Sequence, residues 1–298
     1  MTLCPDRSLS EAMLKCGWIP AGPLSWTTSL TNGAALPVSA RLEDPWLRVE
    51  ARIPEPRETS WWRLLVTARS LPPLVRLALA SAPDRAMSVL LVADLEDGER
   101  PDWPSRVGAV SEELIVAVTR LGHSGFDDCE PEPESQPPES LSDAIREAGW
   151  ACEDRGEGRI DVSLEGDRTR ATARVEPRGG GLCLWTPVAR SVRSNDEDRT
   201  NAVALFLLHT AHRLRAVRAV ARHERGKQEA AVGWEARLPL EPESGEIDRA
   251  LSALTVACQL SAREVEALST PALSCHYLTQ RGARSHGRAP LAKAPRSR

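Results

Sequence analysis

The stretch "SLSEAMLKCGW" at residues 8–18 returns as "SLSDAIREAGW" at residues 140–150, with six of eleven positions identical. In each copy a serine stands three residues before a carboxylate, Ser8 with Glu11 and Ser140 with Asp143. That is capping-box spacing, with Asp replacing the usual Glu or Gln in the second copy. About two helical turns follow, and each copy closes on Gly-Trp, glycine being suited to end a helix. A second anchor pairs "LEDPWLRVEARI" (42–53) with "LEGDRTRATARV" (164–175), and a third pairs "ARS" at 68–70 with "ARS" at 189–191. The order is kept, and the shrinking offset calls for about ten extra residues in the first copy, within "AGPLSWTTSLTNGAALP" at 21–37. Ordered matches of this kind predict a duplicated module.

The bulk composition suits that reading. A chain of 298 residues is long for one domain and comfortable for two. Hydrophobic residues make up 41%, enough for two cores. No run approaches the roughly 20 apolar residues that span a bilayer, and the opening "MTLCPDRSLS" has no basic segment followed by an apolar one, so the expected location is the cytoplasm. Seven cysteines (Cys4, Cys16, Cys129, Cys152, Cys183, Cys258, Cys275) are scattered singly, which suggests reduced thiols rather than a disulfide framework. The net charge of −4 predicts no general attraction to nucleic acid. Arginine outnumbers lysine 35 to three, a bias that fits a G+C-rich genome better than a functional choice.

The second copy reads as a short helix (141–149), strands near 158–164, 168–176 and 181–190, a helix over 201–222, a strand over 229–240 and a helix over 245–269. The first copy repeats the order: helix 9–17, strands near 24–31, 46–53 and 61–69, a helical segment around 73–82, a strand over 86–96 and a helix over 105–121. The prediction is an α+β protein of two tandem α-β-β-β-α-β-α modules, 8–122 and 140–270. Each should be a mainly antiparallel sheet packed against helices. Between them, 123–139, most of it the acidic, Pro-rich run "DDCEPEPESQPPES" (127–140), is expected to be an extended linker. Residues 280–298 hold six cations and no acid and are expected to be a disordered tail.

The run "ALFLLHTAHRLRAVRAVARHERGKQEAAVGWEARLPLEPESGEIDRALSALTVAC" (204–258) resembles the type III secretion chaperone-like superfamily, in particular its sensory-transduction-regulator relatives. The matching features are Leu207-Leu208, a central polar position at His212, the Leu238-Pro239 step and the apolar spacing of 246–268. The family more often has asparagine where His212 stands. The resemblance implies small, often dimeric, non-enzymatic proteins that bind other polypeptides. Two fused copies then imply an intramolecular pseudo-dimer.

Chemical motifs are few. His209 and His212 stand at i, i+3 with His223 beyond, but no spacing supplies the further ligands of a metal site, so no metal is expected. "RGGGL" (178–182) lacks a phosphate-loop register and reads as a hairpin turn, so no cofactor is expected either. No serine or cysteine sits in a nucleophile signature, and Cys16, Cys183 and Cys258 read as small core residues. No enzymatic activity is therefore expected. Trp61-Trp62, taken as part of a strand, should put one indole outside its own core, a binding anchor for another polypeptide or for the opposite module. The arginines of the expected 201–222 helix, Arg215, Arg218 and Arg222 among them, are the other candidate partner-binding residues. They raise the alternative of a nucleic-acid-associated regulator recruited through a basic helix and tail. The acidic linker and the net charge make nucleic acid the less favoured partner.

Overall fold

The computed structural model describes residues 7–281 apart from 32–34, 44, 54–59, 82–86, 97–101, 123–137, 139, 157, 167–169, 194–195 and 224–228. Most of the linker and almost all of the basic tail therefore lie outside the described residues. The two halves have the same element order. The first runs α1 (Arg7–Lys15), β1 (Ile19–Gly22), β2 (Ser25–Thr31), β3 (Ala35–Glu43), β4 (Trp46–Ile53), α2 (Trp61–Thr67), β5 (Arg76–Ser81), β6 (Met87–Glu96) and α3 (Trp103–Gly122). The second runs α4 (Leu141–Glu147), β7 (Cys152–Gly156), β8 (Arg159–Glu165), β9 (Arg170–Arg178), β10 (Gly181–Arg193), α5 (Glu197–Ala211), β11 (Arg218–His223), β12 (Glu229–Pro239) and α6 (Ser244–Ala267). A further helix, α7 (Pro271–Gln280), follows. Each half builds a six-stranded antiparallel sheet with the same order, β1-β2-β3-β4-β6-β5 and β7-β8-β9-β10-β12-β11. The fold is α+β with two sheet-bearing halves.

The quoted echo forms the same capped turn twice. After α1, Gly17 donates to Leu14 O and Trp18 to Met13 O; after α4, Gly149 donates to Arg146 O and Trp150 to Ile145 O. This is the paired 5→2 and 6→1 pattern of a Schellman cap, with φ of +80° at Gly17 and +87° at Gly149. A Cβ at Gly149 would meet nothing within 4 Å, so only the left-handed backbone demands glycine there. Gly149→Ala is expected to cost about 1 kcal/mol in urea unfolding. The expected N-terminal capping boxes are corrected: α1 starts at Arg7, ahead of Ser8, and Ser140 caps α4 by position with no side-chain hydrogen bond. Ser60 and Asp196 do cap, accepting from the backbone N–H groups of Arg63 and Arg199.

On one face of each sheet, alternate residues meet the flanking helices. Trp26, Val38, Ala40, Leu47 and Val49 are buried in the first half, and Ile160, Val162, Ala173 and Val175 in the second. Helices α1 and α3 pack together over the first sheet, and α4 and α6 over the second. The "RGGGL" stretch makes the β9–β10 hairpin turn, with positive φ at Gly179 and Gly180 inside the Arg178↔Gly181 pair. The outer edge strands are short and blunted, β1 by Pro20 and β7 by charges.

Three predicted elements are corrected. Residues 61–67 are helix α2, not strand, with Trp62, Leu64, Leu65 and Ala68 buried at helical spacing. Residues 76–81 are strand β5, not helix, because Leu77, Ala78 and Leu79 are covered on both faces and carry no alternation. Helix α5 ends at Ala211, and Arg218–His223 form strand β11. Leu214, Val217 and Ala221 are buried as turn and strand, which prolonged an apolar stripe beyond the helix that owned it. Strands β1 and β3 in the first half and β7 in the second are not among the predicted elements, and with them the observed order is α-β-β-β-β-α-β-β-α. The second and third sequence anchors also fail. β4 corresponds to β10 by sheet position, so 42–53 does not match 164–175, and "ARS" at 68–70 follows a helix while 189–191 lies in β10.

Between the halves, each central helix lies against the edge strand of the other half. Helix α5 packs on β5, α2 packs on β11, and the two helices touch each other. Arg76 opens β5 and donates to Ala211 O (3.3 Å), at the end of α5, and to Leu214 O (2.8 Å) just past it. Arg218 opens β11 and donates to Leu71 O (2.9 Å) and Pro72 O (3.2 Å) beyond α2. A cation at a helix C-terminus meets carbonyls that the helix itself leaves without donors.

Candidate functional site

The sequence-named residues gather at this seam. Trp62 is buried, its backbone N–H donates to Asn201 Oδ1 (3.1 Å), and its ring meets His223 edge-on at 6.0 Å. Trp61 is half-buried. The two indoles sit on the first turn of a helix, so the alternation expected of a strand does not apply. Arg215, Arg218 and Arg222 do not share a helix. Arg215 pairs with Glu43 at 2.8 Å and covers the Trp46 ring at 5.6 Å. Arg222 pairs with Glu176 (2.7 Å) and Glu235 (2.8 Å) and lies 4.4 Å over Trp185. Arg218 is 3% exposed and grips Glu235. All three have internal carboxylate partners.

Glu235 is the hub of a network that the sequence reading missed. It is fully buried and accepts from Arg218 Nε (2.9 Å), Arg222 Nη2 (2.8 Å) and Arg237 Nε (2.8 Å), with Arg178 at 3.9 Å. Burial by itself would raise its pKa, but Arg218, Arg237 and Arg222 outweigh it and hold the carboxyl well below the usual carboxylate range. Beside the network, burial and then the charge of Glu235 push the Cys183 thiol up to about 12, so it stays protonated and is a poor nucleophile. The first half carries a smaller counterpart, Arg76 with Asp94 at 2.5 Å. The signal available in sequence was charge inside an otherwise apolar strand, as in "VRLALA", "LLVADLE" and "VGWEARL".

The histidines separate along the seam. His209 meets Ser81 Oγ at 3.2 Å, and burial followed by Arg281 lowers its pKa. His212 lies 3.4 Å from Glu50, whose pKa is lowered by the His212 hydrogen bond against burial. Among the described residues no three or more His, Cys, Asp or Glu side chains gather as metal ligands.

The outer face of the first sheet is open. One cleft of about 450 Å³ runs over Thr27, Ser39, Arg41, Arg48 and Glu50 to His212. A second, of about 370 Å³, shares Thr27, Ser39 and Glu50 and continues past Pro37 to Arg52 and Ala80. Together they form one trough across β2, β3 and β4, lined by Thr27, Ser39 and the Arg48–Glu50 ion pair and flanked by exposed Arg41 and Arg52. With the β3–β4 turn pair Glu43↔Trp46 matched to Arg178↔Gly181, Ser39 corresponds to Arg174 and Glu50 to Trp185. The second sheet thus fills with large side chains the positions that the first leaves open. Arg155 pairs there with Asp161 at 3.0 Å, and Arg222 covers Trp185.

No family model, curated protein or solved structure matches the chain. Among the described residues no helix is long and apolar enough to cross a membrane.

Proposed function

We propose that this chain is a non-enzymatic adaptor that binds an extended polypeptide across the outer face of its first sheet. In this reading the two halves are an internal pseudo-dimer of chaperone-like modules working in the cytoplasm, in keeping with the resemblance of 204–258 to the type III secretion chaperone-like superfamily. The observation that carries it is the trough over Thr27, Ser39 and Glu50, continuous across strands and bearing hydroxyls beside charged side chains. An extended backbone lying there meets hydroxyls for its amide groups, while Arg41 and Arg52 attract carboxylate side chains. The reciprocal packing of α2 and α5 on each other's edge strands supports the pseudo-dimer, because a homodimer exchanging those helices would make the same contacts twice. The protonated Cys183 and the internally matched Glu235 support a non-enzymatic role.

The test is fluorescence anisotropy of labelled acidic peptides with the full chain. Arg41→Glu with Arg52→Glu is expected to weaken binding by about tenfold or more, with an unchanged circular dichroism spectrum. Peptides that bind the charge-reversed protein equally well, or that never bind the parent, would refute the reading.

A further inference from the structure

The two clefts over the first sheet follow one another along the strands. The first takes in Arg41, Glu43 and Arg48, and the second takes in Pro37 and Arg52. They share the row in which Ser39 stands opposite Glu50, so the trough runs lengthwise over β3 and β4. On β4 its positions are every second residue, Arg48, Glu50 and Arg52, as one face of a strand requires. Arg48 and Glu50 neutralise each other at 2.7 Å, and His212 Nε2 lies 3.4 Å from the same carboxylate oxygen. Arg41 and Arg52 are exposed, and among the described residues neither has an ion-pair partner.

Two cations therefore mark the two ends of the trough, with a row of no net charge between them. Arg41 stands opposite Arg48 on the neighbouring strand, and Arg52 lies four residues beyond Arg48. At about 3.3 Å per residue, the two ends are about 13 Å apart along the strands. The sheet itself needs neither cation. With the β3–β4 and β9–β10 turns matched as above, Arg41 corresponds to Glu176 and Arg52 to Pro187, and the second half builds the same strand order without them.

We infer that the trough selects extended peptides with acidic side chains at positions i and i+4 and a polar, non-acidic residue at i+2. The inference rests on the polypeptide reading of the trough and adds a charge spacing to it. An extended ligand rises as the strands beneath it do, so its residues i, i+2 and i+4 face the sheet and i+1 and i+3 face solvent. The outer two carboxylates then reach Arg41 and Arg52, whose planar forks each match two oxygens at once. The middle residue lies over Ser39 and Glu50, where a hydroxyl finds partners and a carboxylate finds no spare cation.

The test is fluorescence anisotropy of the full chain with labelled threonine-rich peptides that carry two glutamates at spacings from i+2 to i+6, beside peptides with one glutamate. The i+4 peptide is expected to bind about fivefold or more tightly than the i+3 and i+5 peptides, in which an extended chain turns one carboxylate away. Arg52→Ala should remove the advantage of the second glutamate, so that two-acid and one-acid peptides bind alike to a protein with an unchanged circular dichroism spectrum. Arg52→Glu should regain binding to an i+4 peptide in which one glutamate is replaced by lysine. The inference is overturned, and the polypeptide reading kept, if the parent binds all spacings equally. It is overturned in the same way if i+3 binds best, the mark of a helical ligand. If no acidic peptide binds at any spacing, the inference and the polypeptide reading fall together.

Discussion

Glu235→Ala is expected to lower the stability of the chain by about 3–5 kcal/mol, the usual cost of removing one partner from a buried ionic cluster. The reason is geometric. Arg218, Arg222 and Arg237 direct hydrogen bonds at one carboxylate that has no exposure to solvent. Without it, cations buried at a seam repel one another and retain desolvated N–H groups. Arg222 keeps Glu176 and its stacking on Trp185, so it is the least affected. Arg218 keeps only neutral carbonyls among its closest contacts, Leu71 O and Pro72 O, and is the most affected. Chemical denaturation monitored by tryptophan fluorescence reads the loss; a change below about 1 kcal/mol, the range of exposed ion pairs, would mean that water reaches the cluster.

The same residue sets a pH dependence. The folded pKa of Glu235 lies well below the usual carboxylate value of 4.5. A group with a depressed folded pKa stabilises the fold above its unfolded pKa, and that contribution is lost as pH falls from the mid-4 range towards the folded pKa. Stability of the parent should therefore fall steeply with acidification below that range. Glu235→Gln, which has no charge to lose, should start lower and show a shallower fall.

Much of the architecture was legible because its signals are local. Gly17-Trp18 and Gly149-Trp150 announce their turns through a backbone that only glycine adopts easily, and the α6 stripe of Ile247, Leu251, Leu254 and Cys258 faces one core along its whole length. The errors share one cause, the seam. Strand β5 pairs with β6 at the edge of its sheet and is covered by α5 of the other half, so "RLALAS" carries no period that separates strand from helix. Helix α5 and strand β11 are buried through the turn that joins them, so the apolar count ran on from Ala211 to Ala221. Trp61-Trp62 looks strand-like only in isolation; Asn201, in another half of the chain, receives the helix that they begin.

The site was less legible, for a related reason. Arg215, Arg218 and Arg222 read in sequence as a basic surface because nothing local opposes them beyond Glu224, and their partners Glu43, Glu176 and Glu235 are distant in the chain or lie on a paired strand. The trough over Thr27 and Ser39 announces itself only as an absence of bulk, a signal that appears when the two halves are compared position by position.

Arg76→Met is expected to cost as much as the loss of Glu235, about 3–5 kcal/mol, and a second substitution separates the causes. Arg76 does two things at once: it neutralises Asp94 and it donates to Ala211 O and Leu214 O across the seam. Burial lowers its pKa and Asp94 offsets part of that, while the guanidinium stays charged. Removing Arg76 leaves a carboxylate that is 1% exposed with no counter-charge, the more expensive of the two losses. Arg76→Met with Asp94→Leu removes both charges and keeps the apolar volume. If the ion pair dominates, the double variant should recover most of the stability, and the interaction energy should exceed about 2 kcal/mol in a double-mutant cycle. If the carbonyl bonds dominate, the double variant should remain as unstable as the single one, and the seam would then be held by the donors that each edge strand sends to the other half's helix. Calorimetry distinguishes the cases further, because loss of those donors should divide the unfolding into two transitions, whereas loss of the ion pair alone should lower one shared transition.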